Sequence, residues 1–209
     1  MTADDGEFLG KRVVVTGGSR GLGLALAARF ASAGAEVVVG ARSAPALHVP
    51  DDDWTADLAL NFLGIVRLDR ALVPSMVERR RGVVVHISSI ASHFPQAGQA
   101  SYAASKAALN TYSRVLASEV SPAGVRVVNV LPGFIKTQGA VDALRQMASA
   151  QGITAEQMEQ NLIDHLGIPM RRLGTPEEAA EMVAFLASDR AAWVTGAEYR
   201  IDGGIIPTL

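Results

Sequence analysis

The most informative spacing in this sequence joins a tyrosine to a lysine. Tyr102 and Lys106 are four residues apart in an alanine-rich run that has the composition of a helix. Residues at this spacing lie on the same helical face. A phenol beside an ammonium group, with a serine hydroxyl at a nearby strand end, could transfer a proton to or from a bound substrate. The chain has only three tyrosines, so a chance pair is rare, but the pair alone does no more than suggest this chemistry.

Two predicted elements would position these groups. Residues 83–89 read Val-Val-Val-His-Ile-Ser-Ser, and such a β-branched run predicts a short buried strand. Its last residue is Ser89, whose hydroxyl is therefore expected at the end of the strand. Residues 101–119 predict the helix that carries Tyr102 and Lys106.

A second candidate site lies near the start of the chain. Residues 13–15 are three valines that predict a strand, and residues 24–33 have the composition of a helix. The turn between them reads Thr16-Gly17-Gly18-Ser19-Arg20-Gly21-Leu22-Gly23. Glycines let the backbone approach a pyrophosphate, while a helix N-terminus offers free N–H groups and the positive end of a dipole. Strand, glycine-rich turn and helix in this order favour phosphate binding over a purely structural turn.

The residues after this unit bear on which dinucleotide would bind. Residues 36–40 predict a second strand, which completes a βαβ unit of the dinucleotide-binding type. Proteins that bind NAD tend to place an acidic residue at the end of this strand, whereas here Gly40-Ala41-Arg42 follows, with no acid. Arg42 and Arg20 could bind a 2′-phosphate, so the charge pattern favours NADP(H) over NAD(H). The alternative is that both arginines are ordinary surface residues.

The rest of the chain continues the alternation of strands and helices. Three aspartates at 51–53 resemble an acidic helix cap more than a metal site, and the helix is predicted from Trp54 to about Met76, with Asn61 inside it. Further predicted elements are a strand at 125–130, helical segments within 138–170, a helix from Thr175 to Ala187 and a strand at 197–201. The pattern predicts a single α/β domain over the whole chain, with a Rossmann-like, doubly wound and mainly parallel sheet.

Composition excludes several classes of protein. The chain has 209 residues, of which 49% are hydrophobic and 19% charged, so a compact domain is expected. A formal charge of −2 gives no reason to expect nucleic acid as a partner. The absence of cysteine excludes disulfides and fits a cytoplasmic location, and the four histidines have no metal-like spacing, so we predict no metal. From the acidic start of the sequence we expect no signal peptide, and no run is long enough to predict a membrane-spanning helix.

As a set, the motifs resemble those of the short-chain dehydrogenase/reductase family. The matching residues are the turn 16–23, Asn61-Phe62-Leu63-Gly64, Ser89, Tyr102 with Lys106, Pro132-Gly133, and the tail from Thr195-Gly196 to Asp202-Gly203-Gly204. Ser89 stands thirteen residues before Tyr102, which is the serine-to-tyrosine spacing of the family. The motifs follow the family order, and the resemblance covers residues 10–42 and 53–206.

The resemblance implies a role for each matching residue. Tyr102 would be the acid/base, and Lys106 would lower its pKa from the ordinary value of about 10 and hold the nicotinamide ribose. Ser89 would hydrogen-bond the substrate oxygen, and Asn61 would position a water that links Lys106 to solvent. The cofactor-binding residues would be Gly17, Ser19, Arg20, Gly21, Leu22, Arg42, Tyr102, Lys106, Pro132, Gly133, Ile135 and Thr137.

The chain departs from the family pattern between the second strand and the Trp54 helix. The family has a third strand, a helix and a fourth strand there, whereas this chain has about a dozen residues and is short by roughly 40 to 50. Loss of one strand opens a gap of about 10 Å in the sheet. Either the sequence omits a segment that the protein contains, or the protein lacks these elements. Intact catalytic residues on both sides favour the omission.

The resemblance implies an enzyme: an NADP(H)-dependent ketoreductase or dehydrogenase that acts on a small carbonyl or alcohol substrate. Segment 138–170 would cover the substrate, although a plain pair of surface helices fits almost as well. Two other functions stay open, namely dinucleotide binding or assembly without redox turnover, and non-redox chemistry in the same pocket. Family members commonly pair through long helices, so a homodimer or homotetramer is expected.

Overall fold

The computed structural model describes residues 7–11, 13, 15, 21–33, 35 and 51–207. The helices of these ranges are α1 (Gly21–Ser32), α2 (Asp51–Leu58), α3 (Gly64–Glu78), α4 (Ala100–Val120), α5 (Gln138–Gln151), α6 (Ala155–Leu166) and α7 (Pro176–Ala187). The strands are β1 (Gly82–Ile87), β2 (Val125–Pro132) and β3 (Glu198–Ile201). No helix of these described ranges is long and apolar enough to span a membrane, and the cytoplasmic location stays a prediction.

The described chain divides into two compact units. The first comprises Met1–Ala41, Gly133–Ser188 and Ile201–Leu209, and the second comprises Arg42–Pro132 and Asp189–Arg200. The first contains the N-terminal helix and the segment predicted to cover the substrate. The second contains the sheet and the Tyr102 helix. The predicted organisation as one domain stays a prediction.

In the first unit, α1 packs on α7. Phe8 packs edge-on against Phe30 of α1, with the ring centroids 4.9 Å apart. The helix α7 begins with a capping box. The Thr175 side chain accepts a hydrogen bond from the backbone N–H of Glu178, and the Glu178 side chain accepts one from the backbone N–H of Thr175. Segment 138–170 contains α5 and α6, which pack together. Its predicted helical content is confirmed, and its substrate-covering role is untested.

The second unit is built on a three-stranded sheet with the order β1-β2-β3. β1 and β2 are parallel, in a register that runs from Gly82 opposite Val125 to Ile87 opposite Val130. β2 is almost wholly buried, whereas most of β1 is half-buried. A cluster of apolar side chains joins α3 and α4 to β2: Val73, Leu116, Ala117, Val120, Val125 and Val127. This packing fixes α4 against the sheet.

A long helical run crosses the second unit and departs from the predicted helix in two ways. It begins at Asp51, three residues earlier than predicted, because three aspartates occupy its first turn and complement the helix dipole. Between α2 and α3 it contains a π-helical segment, Ala59–Leu63, which includes Asn61. Such segments are rare and often occur at functional sites.

One predicted strand is not found in the described residues. Val13 and Val15 belong to no strand there. Val14, the glycine turn at 16–20 and the second predicted strand at 36–40 lie outside the described residues. The strands predicted at 83–89, 125–130 and 197–201 are confirmed, with boundaries that differ by up to two residues.

Candidate active site

Tyr102 and Lys106 lie on one face of α4, as their spacing predicts. The ammonium nitrogen of Lys106 is 5.7 Å from the centroid of the Tyr102 ring. Both residues belong to the N-terminal third of the helix, which packs on β2. The helix is rich in alanine, so its backbone can approach its neighbours closely, and this brings the two polar side chains into the interior of the second unit.

Lys106 is a buried lysine, with 8% of its surface exposed. Its Nζ donates a hydrogen bond of 2.8 Å to the carbonyl oxygen of Ile87, the last residue of β1. Burial lowers its pKa from the ordinary 10.5 to about 8, because an ammonium is poorly solvated there. The carbonyl at the end of β1 thus holds the Lys106 ammonium beside Tyr102. With a pKa of about 8, this ammonium can lose its proton near neutral pH.

Ser89 follows β1 and directs its hydroxyl toward two groups. The Oγ caps the short 3-10 helix Ile90–Ser92 by accepting a hydrogen bond of 3.1 Å from the backbone N–H of Ala91. The Ser89 hydroxyl also lies near the phenol of Tyr102 and acts to lower the pKa of that phenol. The structure therefore brings Ser89, Tyr102 and Lys106 together, as the resemblance implies.

The pKa of Tyr102 differs from the sequence prediction. It is raised, first because burial disfavours the phenolate and also because the negative charge of Asp57 opposes a second one nearby; the Ser89 hydroxyl acts in the opposite direction. The prediction that Lys106 lowers this pKa is wrong for the protein alone. The prediction assumed that Lys106 carries a full positive charge, and it did not include the burial of the Tyr102 phenol.

Asn61 reaches this site through a residue that the sequence did not single out. The Nδ2 of Asn61 is 3.4 Å from Oδ1 of Asp57, one turn earlier in the helical run. The other carboxylate oxygen of Asp57 accepts a hydrogen bond of 2.5 Å from Ser101, the residue before Tyr102. Asp57 and Ser101 are both buried. An acidic residue four positions before Asn61 was the only signal in the sequence, and such spacing is too common to be informative alone.

The predicted cofactor-binding residues are only partly described. Gly17, Ser19, Arg20 and Arg42 lie outside the described residues, and Gly21 and Leu22 begin α1. Pro132 ends β2, Ile135 forms an isolated parallel bridge with Gly174, and Thr137 caps α5 by accepting a hydrogen bond from Ala140. Gly21, Leu22, Gly133, Ile135 and Thr137 belong to the first unit, and Pro132, Tyr102 and Lys106 to the second.

One feature of the described residues fits a nicotinamide dinucleotide. Gly133 is not that feature, because a Cβ there would lie 2.8 Å from the backbone of Asp202, so packing within the protein already requires glycine. Lys106 has three ammonium N–H groups and uses one on Ile87, which leaves donors for ribose hydroxyls. No cluster of potential metal ligands occurs in the described ranges.

Comparison with known proteins assigns the family. A family model described as "short chain dehydrogenase" matches residues 11–49, and one described as "Enoyl-(Acyl carrier protein) reductase" matches residues 40–206. The chain belongs to the short-chain dehydrogenase/reductase family. The second match alone covers well over half of the chain and includes all four predicted catalytic residues.

Relatives of known name are similar over most of the chain. Nodulation protein G of Rhizobium meliloti is 35% identical over 159 residues, which are 76% of this chain and 60% of that protein. The 3-oxoacyl-(acyl-carrier-protein) reductase of Escherichia coli is 31% identical over 254 residues, which cover 95% of this chain and 98% of that protein. The chain thus spans about 60% of the length of the first of these relatives.

The solved structures confirm the fold class. L-sorbose reductase from Gluconobacter frateurii, a structure complexed with NADPH and L-sorbose, superposes with a TM-score of 0.91 at 27% identity and covers 98% of this chain and 100% of that chain. The Rossmann-like α/β fold with a parallel sheet is confirmed. The Escherichia coli alignment is 254 residues long and this short-chain dehydrogenase/reductase has 209, so the alignment must open gaps, in agreement with the shortening found in the sequence.

Proposed function

We propose that this protein is an NADP(H)-dependent oxidoreductase that interconverts a carbonyl group and an alcohol. The observation that carries the proposal is the convergence of Ser89, Tyr102 and Lys106. The Ser89 hydroxyl lies near the phenol of Tyr102 and acts to lower its pKa, and a buried ammonium lies 5.7 Å from the phenol ring. These groups can hold one substrate oxygen and exchange a proton with it.

Tyr102 acts as the acid when the carbonyl is reduced. Its raised pKa keeps the phenol protonated at neutral pH, so a proton is available for the oxygen as negative charge develops on it. The hydroxyl of Ser89 donates a second hydrogen bond to the same oxygen and stabilises that charge. In the direction of alcohol oxidation the same phenol must lose its proton first, which the burial of Tyr102 opposes.

Lys106 and Asn61 support this proton transfer. The pKa of Lys106, lowered to about 8, lets the ammonium pass a proton toward Tyr102 and recover one from solvent. Asn61 would position the water through which that proton returns. A bound nicotinamide would supply or accept the hydride, and in the second unit Lys106 and Pro132 would hold it.

The preference for NADP(H) belongs to the same proposal. Arg20 lies in the glycine-rich turn, and Arg42 follows the second predicted strand with no acidic residue beside it. L-sorbose reductase, which is similar to this chain, was solved with NADPH. A homodimer or homotetramer, and a covering role for segment 138–170, complete the proposal.

Oxidation of NADPH against a panel of ketones that includes L-sorbose and a 3-oxoacyl thioester tests the function. We expect turnover with at least one ketone, and a loss of about 10²-fold or more in Tyr102→Phe because general acid catalysis contributes that much. Tyr112→Phe is a matched control, since Tyr112 lies on the same helix and away from Ser89. Full activity in Tyr102→Phe would refute the mechanism.

A second candidate function is dinucleotide binding without redox turnover. The observation that favours it is the gap implied by a 254-residue alignment to a 209-residue chain, because a missing strand would displace Ser89 by about 4.8 Å relative to the first strand. Titration with NADPH, followed by its fluorescence, separates the two functions. Binding without consumption of NADPH across the whole panel would support the second.

A further inference from the structure

The site contains one buried acid for which the proposed mechanism has no use. Asp57 has only 7% of its surface exposed, and an ionised carboxylate in such a position is costly unless hydrogen bonds compensate. Two polar groups do so, the hydroxyl of Ser101 at 2.5 Å and the side-chain amide of Asn61 at 3.4 Å. Asp57 comes from α2, Asn61 from the π-helical segment, and Ser101 from the first turn of α4.

We propose that Asp57 is a positioning residue of the active site, whose carboxylate ties the π-helical segment with Asn61 to the turn of α4 that carries Tyr102. This inference rests on the proposed function. Ser101 is fully buried and adjacent in sequence to Tyr102, so its hydrogen bond to Asp57 restrains the backbone from which the phenol projects. The contact also occupies the amide nitrogen of Asn61, which orients its carbonyl oxygen as an acceptor.

The carboxylate has a second effect, which is electrostatic. The groups beside Tyr102 in the described part of the chain are Lys106 on its own helix, Ser89 after β1 and Asp57 on α2. Of these, Asp57 is the one whose charge raises the pKa of Tyr102. The phenol is therefore held in the protonated form that carbonyl reduction needs.

Three variants separate these effects. Asp57→Asn keeps a similar shape but removes the charge, Asp57→Glu keeps the charge, and Ser101→Ala keeps the charge but breaks the link to α4. The matched control is Asp53→Asn, which removes a carboxylate from the same helix at an exposed position. Oxidation of an alcohol by NADP⁺ is measured against pH with the alcohol of the best ketone in the panel.

In Asp57→Asn the pH at which oxidation reaches half its maximum moves to lower values, since the phenol loses its proton more easily. Ser101→Ala leaves that midpoint in place and lowers kcat, by up to about 10²-fold if Tyr102 moves by about 1 Å. Asp57→Glu retains the midpoint of the wild type, and Asp53→Asn changes neither value. Identical midpoints and kcat values in Asp57→Asn and Asp53→Asn would overturn the inference.

A titration without substrate keeps this test separate from the proposed function. The ultraviolet absorbance of tyrosinate, taken as the difference between the protein and its Tyr102→Phe variant, reports the phenol of Tyr102 alone. We expect this titration curve to shift to lower pH in Asp57→Asn and to stay in place in Asp53→Asn. An unshifted curve overturns the role of Asp57. If the wild type oxidises no NADPH but the titration curve still shifts in Asp57→Asn, only the proposed function is overturned.

Discussion

Lys106 offers a prediction about stability that follows from its burial. Its pKa falls from 10.5 to about 8 on folding, so between these two values the unfolded chain binds more protons than the folded protein. Stability must therefore rise with pH across this range and level off above the unfolded pKa. The shift corresponds to about 3 kcal/mol over the full range, at about 1.4 kcal/mol per unit. With 8% of the residue exposed, solvent screening reduces this value little.

The experiment replaces the lysine by an apolar side chain of similar length, Lys106→Met. Between about pH 7.5 and pH 9.5 we expect the free energy of unfolding of the wild type to rise by about 2 kcal/mol relative to that of the variant. At pH 7 the two stabilities should be close, because the variant escapes the cost of burying the charge but loses the hydrogen bond to Ile87, worth about 1.5–3 kcal/mol.

Urea unfolding at several pH values measures this difference. Both proteins contain the same tyrosines, so the difference between their stabilities isolates the lysine. Lys136→Met is the control, since the side chain of Lys136 is 45% exposed and its loss should leave the pH dependence of the wild type unchanged. A constant difference between the wild type and Lys106→Met from pH 7.5 to 9.5 would show that burial does not perturb Lys106.

Two further predictions concern the scaffold. Gly124 has φ +79°, and a Cβ there would lie 2.5 Å from the carbonyl oxygen of Arg80, so Gly124→Ala should destabilise the protein by more than about 1 kcal/mol in urea unfolding. Gly139→Ala, where the added Cβ would meet nothing within 4 Å, should not. The intact mass of the protein from its natural source should exceed 21.9 kDa by several kilodaltons; a mass of 21.9 kDa would mean that the missing strands are truly absent.

Much of the site was predictable because the features that define it are local. The spacing of Tyr102 and Lys106 fixes their common face on any α-helix, and the serine at the end of a β-branched run places Ser89 at a strand end. The same holds for α7, where Thr175 and Glu178 form a capping box three residues apart. For such features the chain between the residues is too short to allow another arrangement.

The sequence alone thus determined the family, the elements and the residues Ser89, Tyr102 and Lys106. Only the tertiary structure decided how these groups are charged, because desolvation depends on what packs around a side chain and not on its neighbours in sequence. In the tertiary structure the pKa of Tyr102 is raised, whereas from the sequence we expected Lys106 to lower it. The tertiary structure also joined Asp57 to Ser101 across 44 residues, a contact that exists only because α2 packs on α4.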